Sequence, residues 1–281
     1  MKNRLLTSAG IIFFGLLLVI FSEHIVFPIA LAALTVIALF EILRVMGAHK
    51  KWVLSIPAYI LGAAFPSLAY FVRGENTLIF LLALAAAMFV YMMWLMAVSV
   101  FSKGNIPFSR ISEAFVAVLY VTVSFTSLSL IRYLDRSIGV YFVVLPFVIS
   151  WICDVFAYFT GSLIGKHKLI PEVSPKKTVE GAIGGVVFAA IACAVYGLGL
   201  DLFIADMKVN YLTLVLFGLI LSVVSQLGDL TASLIKREYG VKDYGRIFPG
   251  HGGIMDRFDS VLAVSTVLLI LTLIFPPFTL A

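Results

Sequence analysis

The amino-acid sequence predicts an all-α polytopic membrane protein of about nine transmembrane helices, N-terminus inside and C-terminus outside. Three observations predict it. The 281 residues are 62% hydrophobic and only 12% charged, whereas a soluble domain carries about 45–50% apolar and about 25% charged residues. The apolar residues fall into runs of about 20, the length that crosses a hydrocarbon core about 30 Å thick. The basic residues collect in alternate breaks between those runs.

The expected spans are about 5–22, 25–47, 53–72, 78–101, 111–131, 138–164, 181–200, 212–235 and 257–279. The first follows Met1-Lys2-Asn3-Arg4, as a signal peptide would. It is too long for a secretory apolar core and no small-residue cleavage pattern follows, so it reads as a retained helix. The next four spans are separated by short polar or Pro/Gly-rich breaks and carry few ionisable residues. Glu113, near a span end, reads as a capping or flanking group. The alternating ten-residue segments of a membrane β-barrel are absent. Cys153 and Cys193 lie inside apolar runs and read as small hydrophobes.

Charge orients the spans. The N-terminus and the breaks after spans two, four, six and eight hold sixteen of the twenty Lys and Arg residues. Only Arg73, Arg132, Arg136 and Lys208 lie on the other side. Positive loops stay in the cytoplasm, so this split requires an odd number of spans. The net charge of +5 comes from these dispersed loop residues and forms no basic arm, so no nucleic-acid partner is expected. No linker marks a second soluble domain. The chain reads as N-terminal transmembrane helices over 1–137 and C-terminal transmembrane helices carrying the motifs over 138–281.

Chemistry concentrates in that second part. Two long cytoplasmic breaks, about 165–180 and 236–256, hold most of the polar residues, and Asp154, Asp229, Asp256 and Asp259 run into the adjoining helices. A charge at the bilayer centre costs roughly 2.5–3.5 kcal/mol, which makes such residues functional candidates. Asp229, Ser233 and Arg237 are spaced by four and share a helix face, and Asp256 and Asp259 are spaced by three. Asp229, Asp256 and Asp259 are therefore the candidate metal ligands, with Asp154 and Asp243 as lesser ones. Oxygen ligands suit Mg²⁺, which takes one or two carboxylates and leaves positions for water and phosphate. A second cation is compatible with this reading, but the sequence does not specify one. No His/Cys cluster suggests zinc.

Between those carboxylates, Pro249-Gly250 and Gly252-Gly253 flank His251, and Lys236, Arg237, Lys242, Arg246 and Arg257 crowd the same stretch. Glycines allow a backbone to approach a ligand closely, and a helix N-terminus faces anions well. The earlier break carries Ser174, Lys176, Lys177 and Thr178 before a Gly-rich helix start. It is not a Walker A loop, because its glycine spacing and Lys-Ser/Thr order differ.

The stretch from Ser233 to Asp259 resembles the signature of CTP:phosphatidate cytidylyltransferases, the CDP-diacylglycerol synthases. Thirteen positions match: Ser233, Lys236, Arg237, Lys242, Asp243, Gly245, Pro249, His251, Gly252, Gly253, Asp256, Arg257 and Asp259. Asp154, Gly161, Lys166, His167, the 174–181 segment, Gln226, Gly228 and Asp229 resemble the family's upstream block, so the likeness covers about 150–260. It implies nucleotidyl transfer from CTP to phosphatidate, giving CDP-diacylglycerol and pyrophosphate in phospholipid biosynthesis. The implied catalytic groups are Asp229, Asp256, Asp259, Lys236, Arg237 and Lys242. Ser174, Lys176, Lys177, Thr178, Ser233, Asp243, His251, Gly252, Gly253 and Arg257 would bind substrate. CTP, phosphatidate and the lipid bilayer are the expected partners, with room for a homodimer, at the cell membrane with the active site facing the cytoplasm. A CTP-dependent lipid kinase and a transporter are the competing readings. A CDP-alcohol phosphotransferase fits less well, because Asp259 is followed by Ser260-Val261-Leu262 rather than by Gly and Arg.

Overall fold

The computed structural model describes residues 15, 17, 19–72, 74–248, 250 and 252–280. Most of the first expected span, and both Pro249 and His251, lie outside the described residues. Eight described helical segments are long and apolar enough to cross a membrane. The protein is thus an all-α polytopic membrane protein. Its large exposed side chains, such as Phe101, Leu163 and Phe203, are what lipid-facing helix surfaces require. The chain divides into two compact units, Met1–Gly139 with Tyr239–Phe258, and Val140–Glu238 with Asp259–Ala281.

The first unit contains α1 (Val26–Val45), α2 (Trp52–Leu68), α3 (Thr77–Phe101) and α4 (Phe108–Leu134). Helices α1, α2 and α3 all pack on α4. Helix α4 is 72% buried in its most apolar stretch, whereas the corresponding stretch of α3 is 22% buried. The sequence of α4 explains its place: Thr122, Ser124, Thr126, Ser127 and Ser129 are all buried, and hydroxyls in a membrane helix belong against protein rather than lipid. Ser129 donates to the carbonyl of Pro66 (2.8 Å) near the end of α2. That end tightens into a 3-10 turn at Ala69–Phe71. Helix ends leave carbonyls without intrahelical donors, and a neighbouring hydroxyl supplies one. Glu113, on α4, accepts a hydrogen bond from the Tyr239 hydroxyl (2.7 Å). It therefore anchors the start of the 239–258 segment.

The second unit contains most of α5 (Gly139–Ile164), then β1 (Lys168–Ile170), β2 (Ser174–Thr178), α6 (Val179–Phe203), β3 (Met207–Val209) and α7 (Tyr211–Glu238). It ends with most of α8 (Met255–Ile274) and with β4 (Phe278–Leu280). Helices approach closely through glycine, as membrane helices do where only dispersion and hydrogen bonds hold them together. A Cβ at Gly218 would lie 2.6 Å from the Cα of Ala190, and one at Gly185 would lie 2.8 Å from the Cys153 carbonyl.

Two features depart from the expected spans. The break at 165–180 holds an antiparallel hairpin, with Lys168 opposite Thr178 and Ile170 opposite Ser174. The last helix stops at Ile274 rather than continuing to 279, because Pro276 and Pro277 cannot extend it. The chain then forms β4, which pairs antiparallel with β3, and the Asn210 amide donates to the Pro277 carbonyl (2.8 Å).

Candidate active site

In the second unit the hairpin sets its lysines by strand alternation. Lys176 is exposed, while the Lys177 ammonium forms an ion pair with Asp229 of α7. Thr178 ends the strand and caps α6, its hydroxyl accepting from the Gly181 amide (3.1 Å). Three glycines surround that hydroxyl. A Cβ at Gly161 or Gly165 would lie 2.7 Å from it, and one at Gly181 would lie 2.9 Å away. The sequence Gly-Ser-Leu-Ile-Gly at 161–165 therefore exists to let α5 approach the cap. Glu180, in the first turn of α6, accepts hydrogen bonds from the backbone amides of Lys166 and His167 and lies 2.6 Å from His167 Nδ1. This closes the hairpin's entry.

The result is a cleft of about 310 Å³, within the range of small-molecule sites, whose lining includes Asp154, Tyr158, Lys176, Lys177, Gln226 and Asp229. Gln226 donates to the Ala182 carbonyl (3.1 Å), fixing α7 to the start of α6. Gly228 lets α8 come against α7: a Cβ there would lie 2.8 Å from the Asp259 carbonyl oxygen. Three carboxylates consequently feel one another. Asp229 interacts electrostatically with both Asp154 and Asp259. The Ser260 hydroxyl donates to Asp259 Oδ1 (3.4 Å), and Lys236 acts on Asp259 as a positive charge. Ser233 donates to Asp229 at 3.5 Å, the i−4 contact expected on one helix face. Arg237 is exposed on the last turn of α7.

In the first unit the segment 239–258 is held by carboxylates that the backbone occupies. Asp256 Oδ2 accepts from the amides of Tyr244 (2.8 Å), Gly253 (2.9 Å) and Gly245 (3.4 Å). Gly252 has φ +85°, and a Cβ on it would also meet the Asp256 carboxylate, so glycine is required on both counts. Asp256 thus braces the turn, in the manner of a capping-box carboxylate that reaches back to the amides before its helix. Arg44 of α1 donates to the Tyr244 carbonyl (2.6 Å). Next to this contact is a cavity of about 580 Å³ whose lining includes Arg44, Lys242, Asp243, Gly245 and Arg246. Arg257 is exposed.

Of the sequence candidates, Asp154, Lys176, Lys177, Thr178 and Asp229 meet at one cleft, and Asp259 and Lys236 act on one another beside Asp229. Ser174 opens the strand that delivers the lysines. Lys242 and Asp243 line the cavity of the first unit, and His251 lies outside the described residues. Among the described residues, no group of three or more His, Cys, Asp and Glu side chains stands in a metal-holding arrangement. Sequence reasoning missed Glu41, a buried carboxylate of α1 whose Oε2 accepts from the Met255 amide (2.9 Å). The signal was present: an acidic residue inside an apolar span is a candidate by default.

The sequence profile of the cytidylyltransferase family matches residues 2–275. The chain belongs to the cytidylyltransferase family. A phosphatidate cytidylyltransferase of Bacillus subtilis (strain 168) is 38% identical over 283 residues, covering 98% of both chains. That of Staphylococcus haemolyticus (strain JCSC1435) is 43% identical over 177 residues, covering 63% of this chain and 65% of its own. The one from Staphylococcus aureus (strain COL) is 42% identical over 173 residues, covering 62% and 63%. For a cytidylyltransferase, a cleft that joins two lysines, a helix N-terminus and two carboxylates has parts that phosphate chemistry uses.

Proposed function

We propose that this cytidylyltransferase converts CTP and phosphatidate to CDP-diacylglycerol and pyrophosphate, at the membrane, for phospholipid synthesis. The observation that carries the reading is the Lys177–Asp229 pair, set in a cleft with Asp154 and acted on by Asp259, in a chain of this family. Both reactants are anions, so the obstacle is charge repulsion. A phosphate oxygen of phosphatidate forms a bond to the α-phosphorus of CTP, and the bond from that phosphorus to the bridging oxygen breaks. The electron pair leaves on pyrophosphate. No protein nucleophile is required.

The chain's own groups would do the following. Lys177, held at the cleft by Asp229, offers its ammonium to a phosphate oxygen, and Lys176 on the neighbouring strand position offers a second one. Thr178 holds the start of α6, whose first amides face an anion favourably. Gln226 fixes the cleft wall. Lys236, Arg237, Lys242 and Arg257 are assigned to phosphate contacts on charge and signature position, and Ser233 to orienting Asp229.

Asp229 and Asp259 are the carboxylates we assign to Mg²⁺, with Asp154 beside them. The donor chemistry fits: mutually repelling carboxylates are stabilised by a cation, and Mg²⁺ takes only one or two of them along with water and substrate oxygens. When bound, Mg²⁺ would neutralise charge on the transferring phosphates. For Asp256, a ligand role competes with the three backbone amides it already serves.

The uneven distribution of Lys and Arg supports a cytoplasmic N-terminus and cytoplasmic motif loops. A cysteine placed at Lys176 should escape an impermeant thiol reagent on intact cells, and strong labelling would refute this orientation. The reaction is tested with purified protein, phosphatidate and CTP labelled at the α- or γ-phosphate. Label from the α-position should enter lipid and γ-label should appear in pyrophosphate. Entry of γ-label into lipid would replace transfer of cytidylyl with phosphorylation.

A further inference from the structure

Glu41 lies on α1, far upstream of the signature in sequence, and is 2% exposed. Arg44, three positions on and hence on the same helix face, reaches the Tyr244 carbonyl. Glu41 Oε2 takes the amide of Met255, the first residue of α8, whose N–H has no intrahelical partner. Glu41 Oε1 is buried and accepts no hydrogen bond. It faces two glycines of the signature. A Cβ on Gly253 would collide with Oε1, Oε2 and Cδ of Glu41, and one on Gly245 would collide with Oε1, with Cδ, and with the Cα of Gly253. Gly253 has no left-handed backbone conformation, so an alanine there is opposed by the Glu41 carboxylate, which it would have to displace, rather than by φ.

We propose that Glu41 is a positioning residue of the reaction: its carboxylate fills the space that Gly245 and Gly253 leave open and fixes the turn carrying the signature. The two carboxylates divide the work. Asp256 gathers the amides of Tyr244, Gly245 and Gly253 from within the turn, and Glu41 fastens that turn to α1 from outside it. Gly245 is shared between this contact and the cavity lined by Lys242 and Arg246, so Glu41 sets the backbone on which those cations are mounted. This explains two signature glycines in steric terms. Their hydrogens are what a carboxylate oxygen can pack against.

The test is second-site suppression, read as kcat per folded enzyme and KM for CTP in detergent-solubilised full-length protein. Gly253→Ala should lower kcat by about 10²-fold, the effect of displacing active-site groups by about 1 Å. Glu41→Ala combined with Gly253→Ala should be at least about tenfold faster than Gly253→Ala alone, since contacting residues are strongly non-additive. Glu41→Asp, which keeps the charge and withdraws it by one methylene, should rescue Gly253→Ala in part and serves if the alanine variant does not fold. Gly245→Ala should not be rescued, because its Cβ also meets the Gly253 backbone. Glu41→Gln alone, which keeps an oxygen for the Met255 amide, should hold kcat within a few-fold of the parent. Glu41→Ala alone should lower kcat at saturating CTP. Doubles no faster than Gly253→Ala, or equal rescue of Gly245→Ala, would overturn the proposal. So would a Glu41→Ala that loses only folded protein while kcat per folded enzyme stays unchanged.

Discussion

The chain keeps five of its carboxylates in two different electrostatic settings. Around 244–256, Asp256 and Glu41 face backbone N–H donors, and their charge is spent on holding a turn. Around the hairpin cleft, Asp154, Asp229 and Asp259 act on one another electrostatically, with Lys177 paired to Asp229 and Lys236 acting on Asp259 as cations. In the first arrangement backbone donors offset the repulsion between Glu41 and Asp256. In the second, lysine side chains stand where those backbone donors stand in the first. On the proposed function, the contrast separates carboxylates that hold a turn from carboxylates assigned to substrate charge.

The comparison can be broken from either side. A large effect should come from Lys177→Met. It removes the cation from Asp229, leaves three carboxylates under-compensated and deletes a phosphate contact. Loss of one such charge-stabilising donor costs on the order of 10²–10³ in kcat. Steady-state rates with saturating CTP and phosphatidate check this, and a melting temperature near that of the parent should accompany the loss. A variant with near-parental kcat would place Lys177 outside the chemistry. A smaller effect, on a different observable, is expected from Asp256→Asn. Replacing the ionised acceptor weakens hydrogen bonds that are worth about 1.5–3 kcal/mol each when charged and about 0.5–1.5 when neutral. The melting temperature should fall, with activity declining alongside it. An Asp256→Asn protein of unchanged stability but abolished activity would move Asp256 into the same class as Asp229.

How much of this was legible in the sequence follows from the physics of each element. The spans were legible because lipid demands long apolar runs, and α1 to α7 lie where those runs lie. The prolines after Ile274 were visible, yet the apolar tail Phe278-Thr279-Leu280 masked the helix end. The hairpin was not legible, because Ser174 to Thr178 is too short and polar for a strand pattern and is fixed by contacts with α5, α6 and α7. The spacing of Asp256 and Asp259 correctly marks one helix. It says nothing of the amides from Tyr244 and Gly245 that occupy Asp256, since those come from a turn of non-repeating geometry. Glu41 was legible in principle and was overlooked because no motif surrounds it.

The most direct test of the account compares Mg²⁺ titrations of cytidylyl transfer for the parent, Asp229→Asn and Asp259→Asn. Each substitution keeps shape and removes one anionic oxygen, and an amide near lipid is easier to bury than a carboxylate, so folding should survive. The account predicts monodisperse protein of near-parental stability, a rate lowered by on the order of 10²–10⁴, and a Mg²⁺ requirement shifted to higher concentration. Near-parental rates with an unchanged Mg²⁺ dependence in both variants would contradict it.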